Sequence, residues 1–142
     1  MKGLEVLIHM CKTIGQLYNE RPIENAQYPL QIWYNDLLDK TENDLTVFDV
    51  VRMIRQRKFI KLAVEVAFRF LNEDPFCGDC YTGELLEKVT GLERKLIESH
   101  REDIINVVSL CESSLQSYEW TDDFEKDDFI CMLAEIKKRF DI

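Results

Sequence analysis

Apolar residues recur along this chain at steps of three and four, the spacing of one face of an α-helix. The first such stripe begins near the amino end and predicts a helix that Arg21 and Pro22 terminate. Its apolar members are Leu4, Leu7, Ile8, Cys11, Ile14, Leu17 and Tyr18. A loop is predicted between Pro22 and Pro29. A second, shorter stripe follows, formed by Leu30, Trp33, Tyr34, Leu37 and Leu38.

The middle of the chain predicts a capped helix followed by a central one. The Thr46 hydroxyl can cap the free amides of a helix whose third position is Asp49, an acid favoured by the positive end of the helix dipole. The next segment, residues 60–71, is apolar except at every fourth position, where Lys61, Glu65 and Arg69 stand. A helix that is apolar around most of its circumference belongs in a core.

The carboxyl-terminal part also predicts helices. The stretch from Leu92 to Cys111 forms either one long helix or two with a bend. Its β-branched run, residues 104–108, also fits a strand, but the apolar positions keep the helical step and no second strand is present to pair with it. The last helix is predicted to begin with Thr121 as its cap. Its predicted buried face comprises Phe129, Ile130, Leu133, Ile136 and Phe140.

Composition fits this helical interpretation. The chain has 142 residues, 46% of them hydrophobic, and only five glycines and three prolines, too few for a loop-rich β fold. This length is typical of one domain with its own core, and no apolar run approaches the ~20 residues of a membrane span. The sequence therefore predicts an all-α, single-domain irregular bundle of about six helices over residues 1–142.

The net charge narrows the possible partners. Eighteen basic residues against 27 acidic ones give a net charge of −9. Such a surface repels phosphate backbones and anionic lipid headgroups, so we expect no direct nucleic-acid or membrane partner and instead a basic protein. The amino end lacks a targeting signal, and five cysteines at irregular spacings fit reduced thiols. A cytoplasmic location is predicted.

Catalytic and metal-binding signals are weak. The one metal- or redox-like motif is Cys77-Gly78-Asp79-Cys80. Zinc requires four ligands, yet there is no second such motif and only His9 and His100 are available; a redox pair would need an adjoining βαβ unit. A turn in which Gly78 adopts a positive φ is the preferred interpretation. No nucleophile pattern or phosphate loop is present, so no enzyme, cofactor or metal is predicted.

An acidic segment near the carboxyl end is the strongest candidate binding surface. Residues 112–128 contain seven acids and one lysine, a net charge of −6, interleaved with Tyr118, Trp120 and Phe124. Aromatic anchors inside a charged rim are typical of protein interfaces. The alternative is that the acids cap and solubilise a helix and that the aromatic residues belong to the core. The candidate contact residues are Trp120, Asp122, Asp123, Glu125, Asp127 and Asp128.

The stretch from Leu45 to Val89 combines three motifs. The first is a capped helix, Leu45-Thr46-x-x-Asp49-x-x-Arg52-x-Ile54-x-Gln56 in this chain, and the second is an apolar helix ending at Asp74-Pro75. The third is a turn with Gly78, Asp79, Tyr81, Gly83 and Glu84. In this order the motifs resemble those of the immunity proteins of bacterial contact-dependent growth inhibition systems. The matching residues taken as scaffold are Thr46, Asp49, Arg52, Gln56, Pro75, Gly78, Asp79, Tyr81, Gly83 and Glu84.

The resemblance implies a protein that binds and neutralises the carboxyl-terminal toxin domain delivered by a neighbouring cell. Toxins of such systems are often nucleases, including tRNA-cleaving ones, so the implied partner is a basic protein. Within the motif, Asp49 is expected to pair with Arg52 or with nearby backbone, and Tyr81 to bury its ring against the preceding helix. The alternative function is a non-enzymatic all-α adaptor or regulatory protein that binds a different basic partner.

Overall fold

A computed structural model describes residues 11–142 and confirms the all-α fold class. Within these residues the only strand-like pairing is an isolated antiparallel bridge between Thr13 and Thr41. The helices are α1 (Ile14–Tyr18), α2 (Pro29–Leu38), α3 (Val47–Gln56), α4 (Ile60–Glu73), α5 (Glu84–Thr90), α6 (Arg94–Ile97), α7 (Arg101–Ser114) and α8 (Asp123–Arg139), with 3-10 turns at Glu42–Asp44 and Glu98–His100.

The chain groups into two compact units, one ending at Asp49 and one beginning at Val50. That both belong to a single domain stays a prediction. No helix in residues 11–142 is both long enough and apolar enough to cross a membrane.

The first unit contains a break that the sequence did not predict. The stripe that begins at Leu4 predicts one continuous helix, but Thr13 adopts extended backbone and caps a new helix, α1, through a reciprocal pair of hydrogen bonds with Gln16. The amide of Ile14 donates to the Lys40 carbonyl at 2.8 Å, which ties α1 to the end of α2. The predicted apolar positions before Cys11 lie outside the described residues.

Helix α4 is the centre of the second unit, as its composition predicts. All of its predicted charged positions are exposed, whereas seven of its apolar residues are buried. It contacts both α5 and α7. The region after Leu92 forms two helices with a bend, one of the two predicted alternatives, and residues 104–108 are helical rather than extended.

One expectation about side-chain exposure in this unit is wrong. The apolar stripe of the last helix predicts Ile130 in the core, but it lies on the outer side of α8 and is 40% exposed. The ring of His100 stacks on Phe68 at a centroid distance of 5.0 Å, and its Nδ1 lies 2.9 Å from Asp103. His9 lies outside the described residues.

Candidate functional site

Asp49 is the hub of hydrogen bonding in the first unit. Its carboxylate is 2% exposed and accepts hydrogen bonds from Trp33 Nε1 at 3.0 Å and from Lys40 Nζ at 2.6 Å. It also accepts from the amide and the hydroxyl of Thr46, whose Oγ1 in turn accepts from the Asp49 amide. The Thr46 hydroxyl therefore caps α3 as predicted, and the return bond from the Thr46 amide to the Asp49 carboxylate completes a capping box.

The Asp49 carboxylate is ionised in spite of its burial. Burial alone would raise its pKa, but the hydrogen bonds from Lys40, Thr46 and Trp33 outweigh that effect and hold the pKa below its ordinary value. Because this group ties a loop, a helix end and a tryptophan together, its geometry is that of scaffold. The pairing of Asp49 with Arg52 stays a prediction.

Glu84 organises the motif loop, defined here as residues 75–84. It is 1% exposed, and its Oε1 accepts from the amides of Asp79 at 2.8 Å and Cys80 at 2.9 Å. Its other oxygen lies 3.7 Å from an Arg55 guanidinium nitrogen. The sequence motif includes Arg52 and Gln56 on α3 but not Arg55. An exposed arginine has no pattern in the sequence that would indicate its ion pair with a buried glutamate.

The two glycines of the motif loop have different roles, and the prediction for Gly78 is wrong. The sequence predicts a positive φ at Gly78, but the positive φ occurs at Gly83, which has a φ of +83°. Gly78 is required by close packing instead, since a Cβ there would lie 2.2 Å from the Tyr81 carbonyl oxygen. A Cβ on Gly83 would lie 2.7 Å from the ring of Phe129 on α8, so this glycine permits the loop to approach that helix.

Tyr81 contradicts the expectation that its ring is buried against the preceding helix. It is 44% exposed, and its hydroxyl donates to Glu87 on the following helix, α5. Burial of part of the side chain and the neighbouring Glu87 carboxylate both raise the pKa of the phenol. The next residue, Thr82, has its hydroxyl 3.3 Å from the Tyr118 hydroxyl. The loop therefore presents an aromatic ring at the surface that is fixed at its polar end.

The cysteines of the loop form part of a turn. Burial raises the pKa of the Cys77 thiol to about 12. Cys80 is exposed, and the carboxylates of Glu84 and then of Asp79 raise the pKa of its thiol. Among the described residues, no group of three or more His, Cys, Asp and Glu side chains is arranged to hold a metal ion.

Trp120 is placed in an aromatic cluster with the motif loop. Its ring contacts Phe76, Tyr118 and Phe129, at centroid distances of 5.7, 4.5 and 5.4 Å. The indole Nε1 donates to the Leu115 carbonyl at 3.0 Å, and the residue is partly buried. This cluster fixes the start of α8 against the loop. The most exposed aromatic residue of the acidic segment is instead Phe124, at 79%.

Of the five candidate acids at the start of α8, two take part in its cap and three do not. The cap is Asp122, one residue after the predicted Thr121, and its Oδ1 accepts from the Glu125 amide at 2.8 Å. The Glu125 side chain accepts in return from the Thr121 amide at 3.2 Å. The remaining candidate residues Asp123, Asp127 and Asp128 are exposed.

A cleft of about 460 Å³ lies between the motif loop, α5 and α8. We call it the α5–α8 cleft. Its lining residues are Tyr81, Thr82, Glu87, Glu125, Asp128, Phe129, Cys131, Met132 and Glu135. Of the predicted site residues, it brings together Tyr81, Glu125 and Asp128. Sequence reasoning missed Glu87 and Glu135, although the spacing of Glu125, Asp128 and Glu135 places them on one face of a helix.

A family model described as CDI immunity proteins, where CDI denotes contact-dependent growth inhibition, matches residues 16–107. The match covers more than half of the 142 residues and includes the Asp49 hub and the motif loop. No curated protein matches the chain in sequence. One wall of the α5–α8 cleft thus lies inside the matched region, and the α8 wall lies outside it.

Proposed function

The chain belongs to the CDI immunity protein family, and on this premise we propose that it binds a cognate toxin domain through the acidic surface of α8 and thereby neutralises it. A family of inhibitors that faces diverse toxins needs a common scaffold and a variable contact surface. The hydrogen bonds of Asp49 and Glu84, within the matched region, serve the scaffold. The acidic segment lies beyond that region, where contacts can differ between relatives.

The single observation that carries the proposed surface is the concentration of exposed charge around one exposed aromatic ring. Asp123, Asp127 and Asp128 are all exposed, and Phe124 among them is 79% exposed. Burying such a ring in a partner while the acids remain at the rim matches the arrangement of protein interfaces. Trp120 lies at the edge of this surface, and its contacts within the aromatic cluster hold its ring in place.

We propose further that the toxin is basic, with a nuclease as the class that best fits. A nuclease groove carries lysine and arginine to bind phosphates, so an acidic protein can occupy the same groove. Complementary charge also accelerates the encounter, by tenfold or more at low salt. An inhibitor with a net charge of −9 is suited to such a target and is itself repelled by the nucleic acid.

The test uses the cognate toxin domain. An immunity gene is expected to lie directly downstream of the gene for a large adhesin-toxin protein, so the partner is the carboxyl-terminal domain of the protein encoded directly upstream. Binding to the full chain is measured across salt concentrations for the wild type and for a variant with Asp123→Asn, Asp127→Asn and Asp128→Asn. The matched control removes three exposed acids elsewhere, with Glu24→Gln, Asp36→Asn and Glu102→Gln. Toxin activity is measured in parallel.

We expect the α8 variant to bind more weakly and with a shallower salt slope than the control, because the lost charges face the partner. Equal affinities and slopes for the two variants would refute the acidic surface while leaving neutralisation intact. A wild-type chain that neither binds nor inhibits the toxin domain would refute the proposed function.

A further inference from the structure

The α5–α8 cleft has apolar walls that the fold holds in place. Met132 and the almost fully buried Phe129 of α8 line one side, and the Tyr81 ring, held by its hydrogen bond to Glu87, lines the other. The approach of these walls depends on Gly83, since a Cβ there would lie 3.1 Å from the terminal methyl of Met132 as well as against Phe129. The cleft is therefore part of the folded scaffold.

The charge around these walls has one sign. Four carboxylates line the cleft, and no lysine or arginine does; the acids are Glu87, Glu125, Asp128 and Glu135. An anionic ligand such as a phosphate or a carboxylate would be repelled from it. A purely apolar side chain would leave the carboxylates facing a surface that offers them no hydrogen bonds.

From this combination we infer that the α5–α8 cleft receives an arginine side chain of the toxin domain, an inference that rests on the proposed function. The methylene stem of an arginine packs against Met132, the partly exposed apolar residue of the α8 wall, as long cationic side chains do on apolar surface. Its planar guanidinium stacks on the Tyr81 ring and donates to the carboxylates at the rim. Arginine fits better than lysine because its fork of donors can reach two carboxylates while its plane covers an aromatic face.

The surface next to the cleft favours a chain segment over an isolated ion. A second concavity of about 380 Å³ shares Tyr81, Thr82 and Glu125 with the cleft. It adds the acids Asp74 and Asp79, again without a basic residue in its lining. Residues that flank the inserted arginine would therefore meet a continuing acidic groove on the other side of Tyr81.

The first test separates a specific cleft from general acidity. The cleft variant carries Asp128→Asn and Glu135→Gln, and its control carries Asp123→Asn and Asp127→Asn, which removes the same charge from the same helix outside the cleft. Affinity for the upstream-encoded toxin domain is measured for both, with circular dichroism to confirm folding. We expect the cleft variant to lose at least tenfold more affinity than the control.

The second test blocks the cleft without changing its charge. Cys131 lines the cleft, whereas Ser109 is exposed on α7 outside it. We expect Cys131→Trp to weaken toxin binding at least tenfold and Ser109→Trp to leave binding within threefold of wild type. Replacing each arginine of the toxin domain by lysine should then identify one position whose loss weakens wild-type binding but has little further effect on the Cys131→Trp variant.

The outcomes distinguish this inference from the function on which it rests. Equal losses for the two charge variants, with normal binding by Cys131→Trp, would overturn the cleft while the acidic surface stands. Full affinity in all four variants would overturn both the cleft and the acidic surface as binding sites, while the neutralisation of the toxin by this chain would still stand. A wild-type chain that does not bind the toxin domain would overturn the proposed function and the inference together.

Discussion

Replacing Asp49 should destabilise the protein and change how its stability depends on pH. The carboxylate accepts from a buried indole, a lysine and a helix-capping threonine, and Asp49→Ala removes the acceptor that these three hydrogen bonds share. Removing one partner of a buried ion pair costs about 3–5 kcal/mol. The Lys40 side chain is 32% exposed, so the lower end of that range, about 3 kcal/mol, is expected.

The pH dependence follows from the lowered pKa of Asp49. A carboxyl group whose pKa is lower in the folded state stabilises the fold above the unfolded-state pKa, about 3.9, and that contribution is lost as the pH falls through the folded-state value. Asp49→Asn has the shape of the protonated acid and cannot ionise. The stability gap between wild type and Asp49→Asn should therefore be largest at pH 7 and narrow below pH 4.

Urea unfolding followed by circular dichroism measures both effects. The matched control is Asp36→Ala, an exposed acid on α2, for which a change within about 0.5 kcal/mol is expected. The reasoning would be refuted if Asp49→Ala cost less than about 1 kcal/mol. It would also be refuted if the gap between wild type and Asp49→Asn stayed constant from pH 7 to pH 3.

Three further perturbations test the local geometry. Gly83→Ala places a Cβ on a residue with left-handed backbone and against the Phe129 ring, so we expect the free energy of unfolding in urea to fall by at least about 2 kcal/mol. An unchanged free energy of unfolding would contradict the close approach of Gly83 and Phe129. Burial raises the pKa of the Cys111 thiol to about 12, so in the native protein this thiol should resist a maleimide that labels the exposed Cys131. Mass spectrometry should find both thiols labelled after unfolding. Rapid labelling of Cys111 in the native protein would be inconsistent with its burial. Asp122→Ala removes the α8 cap and should cost about 1 kcal/mol, whereas an unchanged midpoint would place the cap elsewhere.

The sequence predicts the helical elements well because their apolar faces repeat with the helical period. The charged positions of α4 and the cap at Thr46 are both recoverable from local patterns. The break at Thr13 is not, because the extended backbone there is fixed by pairing with Thr41, 28 residues further along the chain. Local propensity cannot report a contact at that separation.

The site is harder to predict than the fold, because it also depends on contacts between segments that are far apart in the sequence. The acidic residues of α8 and the motif loop are each visible in the sequence as separate features. The cleft between them exists because Gly83 allows Phe129 to approach, which is a property of two segments packed together. The preference for Trp120 over Phe124 as an exposed anchor reflects the same limit, since only the fold shows that Phe76 and Tyr118 already contact Trp120.

Hydrogen–deuterium exchange of the full chain, with and without the upstream-encoded toxin domain, tests the location of the interface most directly. We expect the toxin domain to slow exchange in the motif loop and in residues 123–135, and to leave exchange in α2 unchanged. Protection confined to α2 and the loop before it, with α8 and the motif loop unaffected, would place the interface elsewhere and overturn the proposed surface.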